Sequence, residues 1–76
     1  MNDARRKAIA KLFGEIEDIK SELETVLEEE QEAFDNMPEG LQNSERGERS
    51  QEAISNMESA ISELESAMSS LDEVTC

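Results

Sequence analysis

Residues 35–48, DNMPEGLQNSERGE, with Arg49 directly after them, hold the side chains of this sequence best suited to chemistry. Gln42, Asn43, Ser44, Arg46 and Arg49 are hydrogen-bond donors gathered within eight positions. Arg46 and Arg49 stand three apart and share one face of a helix. A guanidinium fork matches phosphate oxygens, and the free N–H groups of a helix's first turn also suit an anion. The chemistry indicated is the capture of a small phosphate-bearing ligand. Arg5 and Arg6 form a second basic pair that a neighbouring chain would bring to the same ligand. A plainer reading stays open: Arg46 and Arg49 pair with Glu29 and Glu32, Arg5, Arg6 and Lys7 pair with Asp72 and Glu73, and Asn43 or Ser44 caps a helix.

Catalysis has little to work with. There is no histidine, and the single cysteine, Cys76, has no base near it in sequence. Carboxylates are plentiful, yet a glycosidase-like pair needs a cleft and substrate-stacking aromatics, and the only rings are Phe13 and Phe34. The run LEEEQEAFD lacks the alternating ligands and glycine of a calcium loop. The expectation is a non-enzyme with no metal site and no cofactor.

The elements that position these side chains follow from periodicity. Ile9, Leu12, Ile16, Ile19, Leu23 and Val26 alternate spacings of three and four, the a/d stripe of a heptad repeat. Phe13, Leu27 and Phe34 follow d positions and widen the stripe, and Glu30 interrupts it at an a position. Ile54, Met57, Ile61, Leu64, Met68 and Leu71 repeat the pattern, with Ala53, Ala60, Ala67 and Val74 in a second row seven apart. Such a row lets another helix pack close. Gly14 offers the same on the first helix. Met37, preceding Pro38, is pushed out of helical geometry, and Pro38 and Gly40 suit a type I turn. The expected fold is all-α, a single domain over 1–76: an antiparallel two-helix hairpin with helix 1 about 3–35, a loop about 36–43 and helix 2 about 44–75.

A chain of 76 residues with two aromatics buries little apolar surface by itself. Cores of this size supply under about 5 kcal/mol unless metal, disulfides or oligomerisation help. With metal and internal disulfides set aside, hairpins are expected to assemble into a homo-oligomeric helical bundle. Twenty acids against seven bases give a net charge of −13, which repels nucleic acid and anionic membranes. No direct nucleic-acid binding, no membrane association and no signal peptide are expected, and a lone thiol fits a reducing cytoplasm. Residues 21–39 and 50–76 contain acids and no base. An antiparallel pairing of hairpins lays the basic first turn of one beside the acidic loop end of another.

The stretch FDNMPEGLQNSERGE, with AISNMESAISELESA after it, resembles a group of small acidic proteins of tailed phages and prophages. The likeness rests on Asn-Met-Pro-Glu, then Leu-Gln, Ser and Gly-Glu between two helices, and covers more than half of the chain. It implies a phage context in a bacterial cytoplasm and two counter-defence roles. One is a sponge that sequesters a cyclic nucleotide or ADP-ribose-type signal of the CBASS or Thoeris systems. The other is a DNA mimic whose carboxylates occupy the channel of a host restriction or CRISPR-type enzyme. The sponge accounts for the rich loop, and the mimic accounts for the charge. A structural or adaptor coiled coil is the third reading. The loop chemistry favours the sponge.

Overall fold

The structure is a computed structural model and describes residues 1–75. Cys76, expected as an unpaired thiol, lies outside the described residues. The fold is all-helical: α1 spans Asp3–Asp35, α2 Glu39–Gln42 and α3 Glu45–Thr75. The molecule measures 58 × 15 × 13 Å. A 33-residue helix is about 50 Å long, so α1 alone nearly accounts for the length. Glu30, near the end of α1, meets Ser50, near the start of α3, and Phe13 lines a recess with Met68. The chain therefore runs back along itself.

Local chemistry sets the ends. Asn2 caps α1: its Oδ1 accepts the Arg5 backbone N–H at 2.8 Å. At the far end the Met37 N–H reaches the Phe34 carbonyl at 3.0 Å, and the helix stops before Pro38. Pro38 has ψ 147°, so it stands before the turn rather than inside it. Its carbonyl accepts the Leu41 and Gln42 N–H groups at 2.8 and 3.1 Å. The expected type I turn is thus a single helical turn beginning one residue later, since Glu39–Gln42 continue the near-helical dihedrals such a turn shares.

Between the long helices the seam differs from the expected stripe on one side. On α3 the a/d residues Ile54, Met57, Ile61, Leu64, Met68 and Leu71 are buried or half-buried. On α1 Ile9, Ile16 and Leu23 are half-buried too, but Leu12, Ile19 and Val26 are 49, 53 and 50 % exposed. Their place is taken by Phe13, Lys20, Leu27 and Phe34, all half-buried. Only one of the two rows flanking the a positions can face α3. The row with both phenylalanines removes more apolar area from water, and so it wins. Ile54, at 8 % exposure, is the one buried apolar side chain among the described residues, so the core of a single chain is thin.

Candidate functional site

At the loop end, most polar groups expected to bind a ligand are engaged within the chain. Gln42 donates from Nε2 to the Phe34 carbonyl at 3.0 Å, a second donor there beside the Met37 N–H. The Ser44 hydroxyl donates to the Leu41 carbonyl at 2.5 Å and so turns back toward α2, while the Ser44 carbonyl accepts the Glu48 N–H at 2.9 Å, the first helical bond of α3. Asn43 is exposed, and its N–H closes α2 on the Glu39 carbonyl at 3.3 Å. Arg49 meets Glu45 one turn back, Nη2 to Oε1, at 2.6 Å. Arg46 is exposed and has no carboxylate within 4.0 Å among the described residues.

Arg5 and Arg6 lie at the opposite end of the rod, at the start of α1. Arg6 pairs with Asp3 at 3.6 Å, and Arg5 forms no ion pair among the described residues. A single chain therefore gathers Gln42, Asn43, Ser44, Arg46 and Arg49 at one end and keeps Arg5 and Arg6 at the other. The ion pairs expected across the chain, Arg46 and Arg49 with Glu29 and Glu32, and Arg5, Arg6 and Lys7 with Asp72 and Glu73, do not form. Acids three or four residues away on the same helix are nearer partners, as Lys11 with Glu15 at 3.4 Å also shows. Arg5 and Arg46 stand in helix rows that point away from the α1–α3 seam.

Two features were not singled out from the residue pattern. Gly47 is buried where α2 crosses the first turn of α3. A Cβ there would overlap the Gln42 carbonyl oxygen and lie 2.5 Å from the Leu41 carbonyl oxygen, so only glycine admits α2. Its signal was available: it stands seven residues before Ile54, at a seam position, where the missing Cβ of a glycine admits a close backbone. Gly14, by contrast, has nothing within 4 Å of a Cβ, so no backbone of its own chain approaches it. The second feature joins Ser50 to Glu30: the hydroxyl donates to Oε2 at 2.5 Å across the seam. Both residues occupy seam positions, Glu30 where the first stripe breaks and Ser50 seven residues before Met57, and they stand at the same level of the two helices. Ser50 is 6 % exposed, and the bond satisfies it.

One flank of the α1–α3 seam is an open acidic groove. Leu27 and Ile61 lie at its base, and Glu24, Glu28, Glu32, Asp35 and Glu58 line it. No base lines it, so it offers negative charge to a basic surface and repels an anion. No group of three or more His, Cys, Asp or Glu among the described residues is placed to hold a metal ion, and no described helix is long and apolar enough to cross a membrane. The chain matches no protein-family model, no curated protein and no solved structure.

Proposed function

We propose that this chain is a non-enzymatic binding protein: an antiparallel αα-hairpin that assembles with copies of itself and presents acidic faces to the DNA-binding channel of a host DNA-handling enzyme. The carrying observation is the density of charge along the rod. A net charge of −13 over 58 Å is about one per 4.5 Å, and two chains side by side reach about one per 2.2 Å, against about one per 1.7 Å for duplex DNA. The carboxylates of the groove are solvent-facing and have no ion-pair partner within 4.0 Å among the described residues. They are held on helices, so their spacing is pre-organised. The setting that goes with this role is a phage-encoded counter-defence protein in a bacterial cytoplasm, on the strength of the loop-and-helix resemblance.

The test is capture of a DNA-handling enzyme from bacterial lysate on the immobilised chain, with release by short duplex DNA and by added salt. Glu28→Gln together with Glu58→Gln should weaken that capture. Capture indifferent to duplex DNA would overturn the proposal.

A second reading, the nucleotide sponge, is favoured by one observation: Arg46, at the loop, lacks an acidic partner among the described residues. In that reading Arg46 and Arg49, with Ser44, Asn43 and Gln42, and Arg5 or Arg6 of a neighbouring chain, hold a phosphate. It requires Ser44, Gln42 and Arg49 to exchange their internal bonds for the ligand. A thermal shift with cyclic dinucleotides or ADP-ribose derivatives, lost in Arg46→Ala, would establish it in place of the mimic.

A further inference from the structure

The flank opposite the acidic groove is apolar. Leu27 and Glu58, both one position after a d residue or its equivalent, line the groove, so the rows on the other side of each seam share the opposite face. On α1 that row is Arg5, Leu12, Ile19, Val26 and Ala33; on α3 it is Arg46, Ala53, Ala60, Ala67 and Val74, each seven residues apart. Leu12, Ile19, Val26 and Val74 are the large apolar residues left in water along it. Each row begins with an arginine, and these are the two arginines without an ion pair among the described residues.

We propose that a second copy of this chain covers this face with its own, antiparallel, about a two-fold axis that crosses the rod at Ile19 and Ala60. Three observations converge on that axis. Leu12 and Val26 are symmetric about Ile19, and Ala53 and Ala67 are symmetric about Ala60. Glu30 meets Ser50, and stepping equally along each helix from that pair brings Ile19 level with Ile61, beside Ala60. One axis therefore serves both rows, as an isologous interface demands. Leu12 then meets Val26 of the second copy, and the alanine rows of the two α3 helices pack closely.

Charge fixes the direction. Residues 20–60 hold twelve carboxylates and three bases, for −9, against −4 in the remainder. Antiparallel pairing separates the two −9 halves, while a parallel pairing would stack them. The same axis sets Arg5 level with Ala33 of the second copy, between that copy's Glu29 and Glu32 and its Asn36. It sets Arg46 level with the second copy's Val74, beside its Glu73. Both unpaired arginines thus gain acidic neighbours. A face of 58 by 15 Å is about 870 Å² per copy, close to one partner's share of a standard interface.

This inference rests on the self-assembly part of the proposed function and is independent of the target bound. Its test places cysteine at the axis, I19C, with Cys76 replaced by serine so that the new thiol is the only one. The expected results are a scattering mass twice 8.5 kDa and a disulfide-linked dimer on mild oxidation, with E58C, in the acidic groove, giving little. Ile19→Asp should return the scattering mass to that of one chain. A dimer that fails to cross-link through residue 19, or a parallel dimer in which residue 19 faces Ala60, overturns the inference and leaves enzyme capture unaffected. A monomer at every concentration overturns both the inference and the self-assembly reading.

Discussion

Two glycines make opposite predictions. At Gly47 a methyl group has nowhere to go, because the atoms in its way are backbone carbonyls held by the α2 turn. Gly47→Ala should lower stability by about 2–3 kcal/mol in chemical denaturation, the scale of an overpacked interior. At Gly14 the same change meets open space, and helix propensity should raise stability by up to about 1 kcal/mol. A loss at Gly14 would instead reveal a neighbouring chain's backbone there. The Glu30–Ser50 pair is a third residue-scale test. Ser50→Ala alone leaves a half-buried carboxylate without its donor and should cost about 1 kcal/mol. Glu30→Leu with Ser50→Ala restores two apolar seam positions, and a double-mutant cycle should find that pair more stable than the parent.

At the scale of elements, the choice of which α1 row packs on α3 is open to measurement. Phe13→Ala removes a half-buried ring from the seam and should cost about 1–2 kcal/mol at any protein concentration. Leu12→Ala removes a side chain that is half in water within one chain. Its effect should be small in dilute solution and grow with concentration as copies associate, which thermal melts across a dilution series will read. Equal, concentration-independent losses at both positions would contradict the seam described. Periodicity placed both long helices to within a residue or two, because three-four spacing with good helix formers admits no other regular structure. It did not distinguish the rows flanking the a positions, since Leu12, Ile19 and Val26 form an unbroken apolar row, whereas the row that displaced them carries Lys20 between its large side chains. That decision belongs to summed burial against α3, a property of two helices together.

For the whole molecule, the loop and the charge call for different partners. Gln42, Ser44 and Arg49 were legible as polar and clustered, and the Arg49–Glu45 pair is one that helical spacing alone offers, but the Gln42 bond to Phe34 was not legible, because it depends on where α2 lies against the end of α1. With these groups engaged in closing the rod, the proposed function rests on the carboxylate surface. The proposed capture should weaken steeply with salt: the logarithm of the affinity for a basic DNA-handling enzyme should fall linearly with the logarithm of salt concentration, as it does for duplex DNA. Salt-insensitive retention would point to an apolar contact instead.

Heptad spacing and composition alone determined that this chain makes two long helices, that no single copy has a rich core, and that its surface is strongly negative. These are sums over residues and need no knowledge of who meets whom. Tertiary structure decided which residues face each other: Phe13 rather than Leu12 in the seam, Gly47 beneath α2, and Ser50 on Glu30. The physical reason is that a helix offers several apolar or polar rows of nearly equal quality. Only the burial and backbone clearances of the packed pair select among them.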